Sequence, residues 1–343
     1  MTWKVAQVFE MKEIPDYGQM FRKKTDAITL VKRHCDSEDE IIAVAVDADA
    51  VICAAPLQPL TRRVLKALPR CRMIQATSVG YEGVDVQAAT ELGIMVVNIP
   101  DYCLEEVSDH TMALILACTR KIVALNDAVR TGKWTSVAAP YVRQHIWPKL
   151  SRLKGQTLGL IGLGHTAQAL VPKAKAFGLR VIAYSPHAPD SVFIANGVIR
   201  SSLDNLLMES DIVSVHAPLN SSTKGLLGTE QFKKMKPTAY LINTARGPLV
   251  KTQELYDCLV DGVIAGAALD VTDPEPIGLD AAILKLDNVI VTAHTAGASP
   301  TSMGIKYDRP VEEIVAVLVK KQWPFGLVNP QVKEAYQRKW NGQ

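Results

Sequence analysis

Short apolar runs alternate along the chain with longer segments whose apolar residues recur at helical spacing. Such runs, bounded by turn residues, predict strands at Trp3–Phe9, Ala27–Val31, Ala50–Cys53, Met73–Thr77 and Ile94–Asn98. Helical periods lie between several of them, as at Thr61–Ala67 and Val86–Leu92. One continuous apolar helix is predicted at about Leu104–Ala124. The alternation then resumes with strands at Thr157–Leu163, Arg180–Tyr184, Ile212–His216, Ala239–Asn243, Ala265–Val271 and Val289–Thr292. These later runs are apolar at nearly every position, as strands are when helices cover both sheet faces. Repeated β–α alternation predicts parallel sheets, twice over, so the fold class is α/β. No short-period repeat or low-complexity tract breaks the pattern.

The segment Thr131–Lys154 reads differently. It sets Trp134, Tyr141, His145, Trp147 and Pro148 among basic residues, ahead of the second α/β block. Two readings stay open: a surface arm or dimer contact, or a lid over a pocket served in cis or from a partner subunit.

A length of 343 residues allows two domains. Lys and Arg total 38 against 35 Asp and Glu, a net charge of +3. That balance is too even for a nucleic-acid surface. The longest apolar stretches, such as Met112–Cys118, fall far short of a membrane span, so no membrane partner is expected. Met1-Thr2-Trp3-Lys4-Val5 opens a strand rather than a signal core. Cys35, Cys53, Cys71, Cys103, Cys118 and Cys258 are scattered without C-x-x-C pairs. No metal site is expected, and a cytoplasmic location fits.

The chemistry begins at Gly162-Leu163-Gly164-His165-Thr166-Ala167, which lies between a predicted strand and a predicted helix. In G-x-G-x-x-A the first glycine permits a tight turn and the second lets backbone approach a pyrophosphate. The small third residue lets helix and strand pack closely. Free N–H groups at the helix start would face the phosphates. The next strand ends in Tyr184-Ser185-Pro186-His187. Ser185 stands where an acid normally binds the adenosine ribose, and a serine does not repel a 2′-phosphate. His187 is nearby, but no arginine adjoins it in sequence. NADP and NAD both remain open, with Ser185 favouring NADP.

Three polar residues follow predicted buried strands: Arg246, Glu275 and His294. Ligands of parallel α/β sheets bind beyond the carboxyl ends of strands, so these positions are where a site belongs. Reduction of a carbonyl beside a dinucleotide needs a hydride on carbon and a proton on oxygen. His294 suits the proton transfer, and Glu275 would orient the ring and support its charged form. Arg246 offers a planar fork to a carboxylate.

With these motifs in view, the chain resembles the D-isomer-specific 2-hydroxyacid dehydrogenases. The resemblance rests on Gly162-x-Gly164-x-x-Ala167, Asp211–Leu219 with His216-Ala217-Pro218, and Asn243-Thr244-Ala245-Arg246-Gly247. It continues through Ala268-Leu269-Asp270-Val271 with Glu275-Pro276, and His294 followed by Gly297. Earlier pieces match too: Thr77–Tyr81, Gly93-Ile94 and Asn98–Asp101.

The resemblance implies two Rossmann- or flavodoxin-like domains with an interdomain cleft. A discontinuous substrate domain would span 1–102 and 299–343, and a dinucleotide-binding domain 103–298. It implies a homodimer formed mainly through the cofactor domain. It also implies cofactor contacts at Gly162, Gly164, His165, Thr166, Ser185, His216, Ala217, Pro218, Thr244, Ala245, Asp270, His294 and Gly297. Substrate contacts would come from Ser78, Val79, Gly80 and Arg246, near Ala54-Ala55-Pro56-Leu57, Tyr81 and Tyr102-Cys103. The expected activity is NAD(P)-dependent hydride transfer to a small 2-oxo acid, as in glyoxylate or hydroxypyruvate reductases.

The absence of a basic cluster disfavours phosphoglycerate, and Glu275 in place of glutamine disfavours formate. The alternatives are a dinucleotide-sensing protein of the C-terminal-binding-protein corepressor type and a non-catalytic relative with a blocked cleft. The sequence departs from the family pattern at Ser185, in the spacing His294-Thr295-Ala296-Gly297, at Lys251 and along Met303–Pro310.

Overall fold

Period-two side-chain alternation explains why the strands are apolar at every position. In the computed structural model, which describes residues 2–12, 14–54 and 57–340, Ala50 and Ile52 join one buried cluster. Val51 and Cys53, alternating with them, join the cluster on the opposite sheet face. The second sheet divides in the same way. Tyr240 and Ile242 face one cluster, and Leu241 faces the other. Each fully buried Leu, Ile or Val contributes about 1.5–3 kcal/mol relative to exposure, so both faces must be covered.

The chain divides into two units, Met1–Tyr102 with Ser299–Gln343, and Cys103–Ala298. The first holds five strands: β1 (Trp3–Gln7), β2 (Ile28–Lys32), β3 (Ala50–Cys53), β4 (Met73–Ala76) and β5 (Met95–Val97). Their order is β2-β1-β3-β4-β5, and every pairing is parallel. This is the flavodoxin-like order. The C-terminal segment belongs here because its helix Pro300–Ile314 carries Val311 and Ile314 into the cluster around Trp3, Ile52 and Met73. Asn329 then pins β5, accepting the Val96 N–H at 2.8 Å and donating to the Ile94 carbonyl at 3.1 Å.

The second unit holds seven strands: β6 (Thr157–Ile161), β7 (Arg180–Tyr184), β8 (Ile199–Arg200), β9 (Ile212–Val215), β10 (Tyr240–Asn243), β11 (Gly266–Leu269) and β12 (Val289–Val291). The order β12-β11-β10-β9-β6-β7-β8 is that of a doubly wound Rossmann sheet, again all parallel. The strand order reverses between β6 and β9, which opens a crevice beyond their carboxyl ends.

The structure corrects three sequence expectations. The helix expected to run unbroken through Leu104–Ala124 breaks at Lys121. That residue adopts a left-handed conformation (φ 52°) between the helices Leu104–Arg120 and Ile122–Arg130. Its ammonium lies 4.7 Å from the Tyr240 ring centroid, a cation–π contact that holds the bend. Strand β8 was not anticipated. Several strands also end one or two residues earlier than the apolar runs do. The segment 131–154 folds as a short helix, Pro140–His145, and a 3-10 turn, Trp147–Lys149. It builds a small core of Ala128, Ala139, Val142 and Ile146. Among the substrate-side expectations, Ala55 and Pro56 lie outside the described residues, as does Met1 of the predicted first strand.

Candidate active site

Strands β10, β11 and β12 are neighbours, so the loops at their carboxyl ends are neighbours too. At the end of β10, Asn243 is fully buried and shapes the turn with its amide. It accepts the Ala245 N–H at 3.0 Å and donates to the Arg246 carbonyl at 2.9 Å. Arg246 Nη1 donates to the Ala245 carbonyl at 2.7 Å, which fixes the plane of the guanidinium. Gly247 then allows this loop to press against the one after β11. A Cβ there would stand 1.8 Å from the Thr272 carbonyl oxygen. The loop after β12 brings His294 Nδ1 onto Glu275 Oε1, a direct imidazole–carboxylate hydrogen bond. Both side chains are about half exposed, as groups that meet a ligand must be.

His294 has φ 51°, a left-handed conformation that a β-carbon disfavours. Asp270 holds it there. Three consecutive N–H groups converge on this one residue. His294 donates to the Asp270 carbonyl at 2.8 Å. Thr295 donates to Oδ1 at 3.1 Å, and Ala296 to Oδ2 at 2.9 Å. Thr292 Oγ1 adds a fourth hydrogen bond at 2.6 Å. The Asp270 side chain is 1% exposed. Sequence reasoning gave Asp270 only a cofactor contact and missed this architectural role, which depends on β11 and β12 lying side by side. Thr244, also buried, meets Thr111 of the Leu104–Arg120 helix, Oγ1 to Oγ1 at 3.0 Å. Gly297 sits against Cys103, whose sulfur would be 3.1 Å from an added Cβ.

At the switch point, Gly162 has φ 99°, and an added Cβ would meet the His216 backbone at 2.8 Å. The first glycine of the motif thus serves both the turn and the seating of the loop after β9. His216 N–H closes that seat by donating to the Ile161 carbonyl at 2.8 Å. Its ring pairs with Ser214 Oγ at 2.8 Å, and burial pushes its pKa down to about 4. The imidazole is therefore neutral near pH 7. Ala217 and Pro218 follow, and the Pro218 carbonyl accepts from Thr223 Oγ1 at 2.6 Å.

Gly164 is the N-cap of the helix His165–Ala176 and supplies no side-chain cap. No described acceptor takes the N–H of Gly164, His165 or Thr166. The space around a Gly164 Cβ is open for 4 Å. A helix start with free donors and open room fits a dinucleotide pyrophosphate. Ser185 follows β7, and here an arginine invisible in the local sequence arrives. Arg200 from β8 donates to the Ser185 carbonyl at 3.2 Å and the Ala188 carbonyl at 2.6 Å. It pairs with Asp190 at 2.8 Å and stacks on Phe193 at 3.9 Å. No arginine adjoins His187 along the chain, but in space Arg200 reaches the loop on either side of it.

Within the other unit, Ser78, Val79 and Gly80 follow β4. Ser78 Oγ donates to the Gly80 carbonyl at 3.0 Å, and Asn98 Nδ2 to the Val79 carbonyl at 2.7 Å. No described acceptor takes the N–H of Val79 or Gly80, although Gly80 is buried. Such a pair of donors suits an anionic ligand. Lys251, the departure noted after the Arg-Gly segment, pairs with Glu254 at 3.0 Å. Among the described residues, no helix is long and apolar enough to cross a membrane.

A doubly wound domain with a glycine loop at its switch point and a carboxylate-oriented histidine on its carboxyl edge defines a nucleotide-dependent oxidoreductase of the Rossmann type. Comparison with known proteins narrows the class. Residues 112–296 match the model of the D-isomer specific 2-hydroxyacid dehydrogenase NAD binding domain. A glyoxylate reductase of Korarchaeum cryptofilum is 35% identical over 95% of this chain and 96% of its own. A glycerate dehydrogenase of Methylorubrum extorquens is 38% identical over 77% of this chain and 81% of its own. A crystal structure of a Pyrococcus horikoshii OT3 protein superposes with a TM-score of 0.86 at 28% identity, covering 98% of this chain and 97% of that one. The chain belongs to the D-isomer specific 2-hydroxyacid dehydrogenase family and is a nicotinamide-dependent oxidoreductase acting on the CH–OH group of a 2-hydroxy acid.

Proposed function

We propose that the protein reduces a small, unphosphorylated 2-oxo acid such as glyoxylate or hydroxypyruvate to the D-2-hydroxy acid, with NADPH preferred over NADH. The observation that carries this reading is the His294–Glu275 hydrogen bond on the same sheet edge as Arg246. When bound, the reduced nicotinamide supplies the hydride. His294 supplies the proton: Nδ1 is engaged by Glu275, which leaves Nε2 to donate to the carbonyl oxygen. Glu275 orients the ring and balances its charge. Arg246, its plane fixed by the Ala245 carbonyl, binds the substrate carboxylate and polarises the carbonyl. The Val79 and Gly80 N–H groups of the other unit are assigned to an anionic group of the substrate, with Ser78 shaping their loop.

For the cofactor, the uncapped helix at Gly164, His165 and Thr166 is assigned to the pyrophosphate. His216, Ala217 and Pro218 form the wall beside it. Thr244, Ala245, Asp270 and Gly297 are assigned to the nicotinamide end. Ser185 with Arg200 is assigned to the adenosine ribose. Ser185 brings no carboxylate against a 2′-phosphate, and Arg200, paired with Asp190, lies beneath the loop. The unit 103–298 is thereby the cofactor domain, and 1–102 with 299–343 the substrate domain.

We assign a homodimer to the segment Ile122–Trp147. Ile122, Val123, Val129, Trp134, Val137 and Trp147 are all exposed there, a concentration of exposed apolar side chains along one segment that suits an interface. The buried thiols of Cys35, Cys53, Cys71, Cys118 and Cys258 suit a cytoplasmic location. A panel of glyoxylate, hydroxypyruvate, pyruvate and bulkier 2-oxo acids with both reduced cofactors tests the reading. No turnover on any acid, together with tight cofactor binding, would favour a dinucleotide-sensing role instead.

A further inference from the structure

The helix Leu104–Arg120 reaches two of the loops just described through adjacent residues. Thr111 Oγ1 donates to the Val107 carbonyl at 2.7 Å, so it accepts from Thr244 Oγ1 and holds the loop that leads to Arg246. His110, beside it, turns to the loop that carries His294. Its Nε2 lies 3.1 Å from Thr292 Oγ1 and 3.6 Å from Asp270 Oδ1.

The proton direction along this chain follows from hydrogen-bond arithmetic. The Asp270 carboxylate accepts from Thr295 and Ala296 N–H, and Thr292 Oγ1 donates its single proton to Oδ1. Thr292 must then accept from His110, whose Nε2 carries a proton. The line His110 → Thr292 → Asp270 ends on the N–H groups of the loop that forces His294 into its left-handed conformation. Asp270 is buried and must be held in one rotamer for three neighbouring donors to find it.

We infer that His110 is a positioning residue for the reaction: it orients Thr292, and through Thr292 the Asp270 carboxylate, and so sets the register of the His294 loop against Glu275. Among the described residues it makes no hydrogen bond to Glu275 or His294, so its effect travels through the loop. The inference rests on the proposed reading of His294 as proton donor.

The test compares His110→Phe, which keeps an aromatic ring but no donor, with His110→Gln, whose amide can still donate to Thr292. Thr292→Val breaks the line one step on. Two readouts are taken on the full-length protein. The first is steady-state kinetics on the best 2-oxo acid. His110→Phe and Thr292→Val should each lower kcat at least about tenfold, with cofactor Kd within about threefold. The double variant should be no worse than the poorer single, because both cut one line. His110→Gln should recover to within about threefold of the wild type.

The second readout needs no substrate. Amide hydrogen exchange at residues 294–297 should rise in His110→Phe and Thr292→Val while exchange in β6 and β9 stays as in the wild type. If the wild type reduces no 2-oxo acid, the proposed function fails, and the exchange arm still judges the line. The inference is overturned if His110→Phe leaves kcat within twofold or leaves exchange at 294–297 unchanged. A His110→Gln variant as impaired as His110→Phe also overturns it.

Discussion

Gly247→Ala isolates the contact that sets the Arg246 loop against the Glu275 loop. The glycine has no positive φ to satisfy, so the effect of the added methyl is purely steric. Its Cβ would lie 1.8 Å from the Thr272 oxygen and 2.2 Å from the Thr272 carbonyl carbon. A carbon–oxygen contact normally needs roughly 3.3 Å, so one backbone must retreat by more than about 1 Å. Both are strand-end backbones, and neither can rotate away as a flexible side chain could. Overpacking of this kind costs about 1–3 kcal/mol of stability. Displacement by about 1 Å in a catalytic constellation costs roughly a hundredfold in rate, or about 2.7 kcal/mol of transition-state stabilisation. The assay is kcat and KM for the best 2-oxo acid, alongside cofactor Kd and Tm. We expect kcat to fall about a hundredfold. Cofactor Kd should hold within about threefold, because the glycine loop assigned to the cofactor phosphates follows β6 and not β10. A Gly247→Ala protein with wild-type kcat and Tm would refute the argument that this approach builds the site.

Further outcomes follow from His216 and Arg200. The folded-state pKa of His216 lies below the ordinary histidine value of 6.5, at about 4, so between these values the unfolded chain binds a proton that the folded chain refuses. Its contribution is present in full above pH 6.5 and is lost as pH falls toward 4, at up to about 1.4 kcal/mol per pH unit. His216→Asn should remove that slope; urea midpoints at pH 7, 6 and 5 that fall in parallel for variant and wild type would contradict it. Arg200→Ala should raise the Kd for NADPH about tenfold while leaving that for NADH within about twofold, read by fluorescence titration. An equal loss for both cofactors would make Arg200 a loop brace only.

Much of this was legible in the chain because parallel strands buried on both faces announce themselves as unbroken apolar runs. Arg246, Glu275 and His294 stood out because each follows such a run. What escaped reading was set by packing across elements. Lys121 bends a helix without a glycine or proline to mark the place, held by the face of Tyr240. Strand β8 is two exposed residues long and has no periodicity to detect. Arg200 reaches Ser185 only because β8 pairs with β7. Asp270 and His110 carry no local sign that one organises the His294 loop and the other holds it from a helix. A lone histidine on an apolar helix ordinarily reads as a core residue. The glycines divide in the same way: Gly162 and Gly164 belong to a motif, whereas the need for Gly247 is visible only in the 1.8 Å approach to Thr272.

The central claim is that His294, oriented by Glu275, gives the proton to the substrate oxygen. The most direct measurement is single-turnover reduction of the best 2-oxo acid by wild type, His294→Asn and Glu275→Gln with saturating reduced cofactor. His294→Asn should lose at least about a thousandfold in the hydride-transfer rate, Glu275→Gln should fall between it and the wild type, and cofactor Kd should stay within about threefold. A His294→Asn enzyme that transfers hydride at a near wild-type rate would contradict the account.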